Sequence, residues 1–138
     1  MVTFSPVDQV MMQVARDFSS LASCTHRNVG AVVVSTEGRI WGHGYNRASD
    51  RHKLCTDGGC PRGKLPAGKG AADYSDCITV HAEVNAIKMA GDSLCDGSTL
   101  YVNSQPCPMC WRVAEGSGLW RVVWVDEDGY RLKERQFM

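Results

Sequence analysis

With 138 residues, 43% hydrophobic and 22% charged, and a formal net charge of zero, the chain fits one domain with a real core and not a disordered segment. Electroneutrality argues against a protein whose main work is gripping a nucleic-acid polymer, and no apolar run reaches the length of a membrane span. The start, Met1-Val2-Thr3-Phe4-Ser5-Pro6, lacks the basic and apolar regions of a secretion signal. The expected compartment is therefore the cytoplasm, where seven cysteines point to metal binding rather than to disulfides.

Ser5-Pro6-Val7-Asp8 predicts a helix start: a capping hydroxyl, proline at the first position and an acid at the positive helix end. Apolar residues then recur at Val7, Val10, Met11, Val14, Ala15, Phe18, Leu21 and Ala22, which predicts one buried stripe. The valine-rich run 29–34 predicts a buried strand. Glu37-Gly38 supplies a turn, and 40–45 a second strand paired with the first, with Gly42 and Gly44 marking close backbone approach. Residues 47–78 lack periodicity and form a long loop with glycines, basic residues and cysteines. A helix is expected over 79–90, with Val80, Val84 and Ile87 inward, Met89 or Ala90 beside them, and Gly91 ending it. A short strand at 99–102, a helix at 108–115 and a strand at 119–125 follow; the last thirteen residues show no clear pattern. Alternating helices and strands in the second half imply a parallel crossover, hence one α/β domain over 1–138, its sheet covered by helices on both faces. Trp111, Trp120 and Trp124 are expected in the core or a subunit interface rather than as base-stacking groups, and His43 as a structural residue rather than a ligand.

The chemistry concentrates in His81-Ala82-Glu83 and Pro106-Cys107-Pro108-Met109-Cys110. Cys107 and Cys110 form a chelating pair where a strand runs into a helix, whose exposed N–H groups favour thiolates. With His81 as third ligand, they make a catalytic zinc set that leaves one position for water. Glu83 lies two residues beyond His81. On a helix, positions two apart diverge by about 200°, so both reach one target only beyond the helix's N-terminal end. The spacing thus puts the site at a helix tip, with Glu83 as a proton carrier rather than a ligand.

His-x-Glu followed by Pro-Cys-x-x-Cys is the signature of zinc nucleobase deaminases. The words Val80-His81-Ala82-Glu83-Val84-Asn85-Ala86-Ile87, 29–34, Gly44-Tyr45-Asn46 and Leu100-Tyr101-Val102 resemble the deoxycytidylate (dCMP) deaminase family. That resemblance implies a three-layer α/β/α cytidine-deaminase-like fold with a mixed sheet, and hydrolysis of dCMP to dUMP and ammonia, with Glu83 passing protons from the attacking water to N3 and to the leaving amine. It implies that Asn46 contacts sugar or phosphate, that the Ala82 N–H bonds the base carbonyl, and that Asn103 lines the pocket. Relatives assemble as dimers or hexamers, so a homo-oligomer is expected. Arg47 stands where family members often carry glycine, and Asn103 where threonine is frequent.

Cys24, Cys55, Cys60 and Cys77 remain, with Cys95. The likeness would gather the first four into a second, structural zinc site, with His52 as a substitute ligand; buried free thiols are the rival for Cys24 and Cys77. Three other functions stay open at this level. One is deamination of a modified cytosine nucleotide. The second is deamination of a base within nucleic acid, since the cysteine motif is also similar to that of tRNA adenosine deaminases. The third is a non-catalytic zinc module, in which Glu83 would have no task.

Overall fold

The computed structural model describes residues 4–22, 28–48, 79–129 and 131–137. Helix α1 spans Pro6–Ser19 and starts where the sequence predicts, with Ser5 as cap and proline in the first turn; beyond that expectation, the Ser5 hydroxyl accepts from the Asp8 N–H while the Asp8 carboxylate accepts from the Ser5 N–H, a reciprocal capping box. Strand β1 (Gly30–Val34) and strand β2 (Ile40–Tyr45) form an antiparallel hairpin closed at Gly38, whose φ of 85° suits glycine. A two-residue strand β3 (Arg47–Ala48) pairs with β4 (Thr79–Val80), apart from the main sheet. Helix α2 (Ala82–Ala90), a single-turn helix α3 (Asp92–Cys95), strand β5 (Thr99–Val102), helix α4 (Pro108–Gly116) and strands β6 (Arg121–Val125) and β7 (Leu132–Gln136) complete the chain.

The main sheet runs β2-β1-β5-β6-β7. Only β5 and β6 are parallel, joined over α4; the other neighbours are antiparallel. Side chains alternate across it. Ala31, Val33, Leu100, Val102 and Val122 face the small residues Ala82, Ala86 and Ala90 of α2, with Ile87 and Ala114. Val32, Val34, Tyr101, Val123 and Val125 face Met12 and Ala15 of α1. The expected mixed sheet with helices on both faces is what forms.

Helix α2 lies unusually close to the hairpin, and the two β2 glycines make room for it. A Cβ on Gly44 would sit 2.5 Å from the Ala82 carbonyl and 2.7 Å from the Ala86 nitrogen, and one on Gly42 would sit 2.8 Å from the Ala90 nitrogen. All three separations are shorter than atoms tolerate, so the close approach expected at these positions is real and requires glycine.

Four expectations change. The expected α1 stripe holds in part: Ala15 is fully buried and Met11, Val14 and Phe18 pack against the core, but Val7, Val10 and Leu21 are exposed and Asp8 and Met12 are buried in their place. Helix α2 starts at Ala82 rather than at 79, because 79–80 pair with β3; on its far side Val84 is half-buried and Met89 exposed. The single turn α3 and the edge strand β7 are additional. Cys95, on α3, is a buried core thiol whose pKa burial, then Asp92, pushes up.

Asp8 anchors a buried charge cluster on the α1 face. Its carboxylate is 4% exposed and accepts from Arg121 Nη1 and Nη2 at 3.1 and 2.9 Å and from the Tyr101 hydroxyl at 2.6 Å. Arg121 Nε also donates to Glu134 on β7 at 2.6 Å. Burial alone would raise the Asp8 carboxyl, but hydrogen bonds from Arg121, Tyr101 and Ser5 overcome it and hold it below its ordinary value. Trp111 and Trp124 meet edge to face at 5.2 Å against the core, as expected of core aromatics. His43 stacks on Phe18 at 4.4 Å, on the side away from α2.

Candidate active site

Two helix starts converge. His81 is the N-cap of α2 and makes no side-chain cap hydrogen bond; Cys107 is the N-cap of α4, and its sulfur accepts from the Cys110 N–H at 3.5 Å. His81 turns Nδ1 toward both sulfurs, 3.2 Å from Cys110 Sγ and 3.5 Å from Cys107 Sγ. All three donor atoms lie within 4.8 Å of one another, the one such metal-capable group among the described residues.

These spacings fit a zinc ion. Tetrahedral ligation with ordinary Zn–N and Zn–S lengths separates a ligand nitrogen from a ligand sulfur by about 3.6 Å, close to both observed distances. The chemistry of the donors agrees. Burial first, then the Glu83 carboxylate and Cys107, push the Cys110 thiol far up, so a thiolate is stable there only when a cation offsets the crowding of negative charge.

Glu83 is 1% exposed, and both its carboxylate oxygens are buried without a hydrogen-bond partner. An orphaned buried carboxylate is costly. Glu83 stands beside three donors that could hold a metal ion, and no hydrogen bond of the fold engages it. Its place in the first turn of α2, two residues beyond His81, matches the helix-tip geometry expected from the spacing. Ala82 is fully buried at the first position of that helix, where backbone N–H groups project beyond the helix end.

Three contacts hold this geometry. The pairing of Arg47 with Val80 fixes the chain one residue before His81. The Asn85 amide donates to the Tyr45 carbonyl at 2.9 Å, and Gly44 admits the first turn of α2 against β2. Asn85 was visible in the sequence only as part of the family word; nothing in its spacing announced a tie to β2. Asn46 and Asn103 both lie at strand ends. Asn46 Oδ1 accepts from the Val29 N–H at 2.8 Å, and Asn103 Oδ1 from the Gly30 N–H at 2.9 Å. Cys24, Cys55, Cys60, Cys77 and His52 lie outside the described residues.

Comparison with known proteins agrees with this geometry. Residues 5–126 match the cytidine and deoxycytidylate deaminase zinc-binding region. The deoxycytidylate deaminase of Mycobacterium phage D29 is 36% identical over 124 residues, 87% of this chain and 94% of that protein. The Saccharomyces cerevisiae deoxycytidylate deaminase is 33% identical over 132 residues, 94% of this chain and 40% of that longer protein. The crystal structure of the cyanophage S-TIM5 dCMP deaminase in complex with dCMP and dUMP superposes with a TM-score of 0.62 at 26% identity, covering 88% of this chain and 83% of that one. The site's donors, its stranded carboxylate and these likenesses together place the chain in the cytidine and deoxycytidylate deaminase family.

Proposed function

We propose that this protein hydrolyses dCMP to dUMP and ammonia, using a zinc ion held by His81, Cys107 and Cys110 and Glu83 as its acid–base residue. The observation that carries this reading is the Glu83 carboxylate, buried and unpartnered beside the three donors. When bound, zinc supplies Lewis acidity that brings the pKa of water toward neutrality. Glu83 then carries one proton of the attacking water to N3 as its oxygen bonds C4, and carries the second, from the resulting C4 hydroxyl, to the amine as the C4–N bond breaks and ammonia leaves. A buried position suits that task, because the carboxylate meets no competing solvent. The names of the phage and yeast relatives and the nucleotides in the cyanophage complex support dCMP as the substrate.

For binding, the Ala82 N–H at the tip of α2 meets the base carbonyl. Asn46 contacts the sugar or phosphate and Asn103 lines the pocket, while the Oδ1 of each also accepts from a backbone amide. Cys24, Cys55, Cys60 and Cys77 hold a second, structural zinc, and the protein works as a cytoplasmic homo-oligomer, a dimer or hexamer. No helix among the described residues is long and apolar enough to cross a membrane.

Ammonia release from dCMP, CMP, dCTP, cytidine and a cytosine-containing oligonucleotide tests the substrate. Turnover highest with dCMP is expected; preference for the oligonucleotide would shift the reading to a nucleic-acid deaminase, and the absence of release from all five would reject it. Metal analysis is expected to give two zinc ions per chain, and one ion would remove the four-cysteine site.

A further inference from the structure

We propose that Asn46 and Asn103 are positioning residues: together they bracket Val29 and Gly30 and so set the spacing between the His81 half of the metal site and the Cys107–Cys110 half. This rests on the reading of those three residues as the zinc ligands. In an antiparallel sheet, consecutive residues send their N–H and C=O groups to opposite edges of the strand. At the start of β1, Val29 points its pair toward β2 and Gly30 toward β5. Asn46 captures both groups of Val29: its N–H donates to the Val29 carbonyl at 3.2 Å, and its Oδ1 accepts the Val29 N–H at 2.8 Å. Asn103 does the same to Gly30, at 3.3 and 2.9 Å, and its Nδ2 donates to the Asn28 carbonyl at 3.4 Å.

The register explains why side chains are used. The ladders end at Gly30 opposite Tyr45 on one side and at Ala31 opposite Val102 on the other. Beyond those pairs both neighbours must leave the sheet, β2 toward β3 and β5 toward the cysteine segment. If they left with their carbonyls, the amides of Val29 and Gly30 would be buried and unpaired, because both residues are buried. An asparagine at each departure point replaces the missing carbonyl with Oδ1, so the strands can splay without orphaning β1. The splayed chains are the two that carry the ligands. Asn46 precedes Arg47, which pairs with Val80 next to His81; Asn103 precedes Cys107 by four residues. One dipeptide of β1 is therefore the common anchor of both halves. The His81–Cys110 and His81–Cys107 spacings of 3.2 and 3.5 Å depend on it.

The test compares leucine and aspartate at each position, reading zinc affinity by chelator competition and the visible spectrum of cobalt-substituted protein. Leucine keeps the shape and loses the acceptor; aspartate keeps the acceptor. Asn46→Leu and Asn103→Leu are expected to weaken zinc by about 10–100-fold, as loss of groups that orient metal ligands does, and to alter the cobalt bands. Asn46→Asp and Asn103→Asp are expected to keep the wild-type spectrum and an affinity within about threefold of wild type, well short of that loss. Asn103→Ser, whose oxygen falls one bond short of Gly30, is expected to show the same loss should a leucine variant not accumulate as folded protein. Wild-type affinity and spectrum in the leucine or serine variants overturns the proposal, as do aspartate variants as defective as leucine ones. So does an equal zinc loss in Asp8→Asn at matched melting temperature, which would reduce the bracket to general stability. A raised KM for dCMP with zinc affinity unchanged also overturns it and leaves these residues as substrate contacts alone. Wild-type protein that binds no zinc defeats the underlying assignment of ligands, a result distinct from all of these.

Discussion

On the α2 face, the side chains against the sheet are alanines and β2 supplies glycines, so helix backbone and strand backbone nearly touch. On the α1 face, a carboxylate, a guanidinium and a phenol are buried together and larger side chains fill the rest. The first face holds the three metal donors and leaves one carboxylate unsatisfied; the second satisfies its buried acid with several hydrogen bonds. Polar burial thus has two uses in one small domain. The paired carboxylate Asp8 ties the fold together across residues 113 positions apart, whereas the unpaired carboxylate Glu83 costs stability and is the group we propose for chemistry.

The largest effect that would break this contrast is at Glu83. Glu83→Gln is expected to keep zinc and lower kcat by about 10²–10⁴-fold, the range for loss of a positioned acid–base group. Because a neutral amide is less costly to bury than an unpaired carboxylate, its melting temperature should not fall. Turnover near wild type, measured as ammonia release, would remove Glu83 from the mechanism.

Asp8→Asn is the counterpart on the other face. It leaves Arg121 buried with only Glu134 as counter-charge, and a loss of about 3 kcal/mol in denaturant unfolding is expected, as when one partner of a buried ion pair is removed. Turnover per folded molecule should stay near wild type. The pH dependence follows from the depressed carboxyl. The stabilisation is complete above its ordinary value of 3.8 and fades as pH falls through the lower folded value, so wild-type and variant stabilities should converge in strong acid. A gap that persists unchanged there would show that packing, not charge, sets the cost.

How much of this could be read in the chain depends on how local the determinants are. The α1 start at Ser5, Pro6 and Asp8, the valine strand β1, the glycine pair of β2 and the start of α4 at Pro108 are written in neighbouring residues, and each forms where expected. The convergence of His81, Cys107 and Cys110 was legible too, because His81 to Glu83 and Cys107 to Cys110 carry their geometry in their spacing. Strand β7 was not: Leu-Lys-Glu-Arg-Gln has a single apolar residue, since an edge strand buries little. The start of α2 was misplaced because 79–80 are claimed by a distant partner, 47–48, which no local pattern reveals. The two asparagines were singled out, but their pairing with Val29 and Gly30 depends on where neighbouring strands diverge, a property of the assembled sheet.

Gly44→Ala sharpens the contrast by joining stability to chemistry on one face. The new methyl group meets the Ala82 carbonyl and Ala86 nitrogen, backbone atoms of the turn that carries Glu83. Relief requires α2 to move, at about 1–3 kcal/mol as in other overpacked cores. Unlike Asp8→Asn, this change should lower kcat per folded molecule as well as the unfolding midpoint. A variant that is merely less stable, with full turnover when folded, would mean that the His81 tip is held from elsewhere.

The smallest effect is expected at Val10, where spacing and structure disagree. Spacing assigns Val10 to the buried stripe of α1; in the fold it is 58% exposed, while Met12 is fully buried. Val10→Gln should change unfolding free energy by less than about 0.5 kcal/mol, as for surface positions. Met12→Ala should cost about 2–5 kcal/mol, as for other emptied cores. A large loss at Val10 together with a fall in molecular mass in solution would place the outward stripe of Val7, Val10 and Leu21 between copies of the chain. The apolar spacing would then have been set by assembly rather than by the core, because a stripe covered by a partner obeys the same helical period as one covered by a sheet.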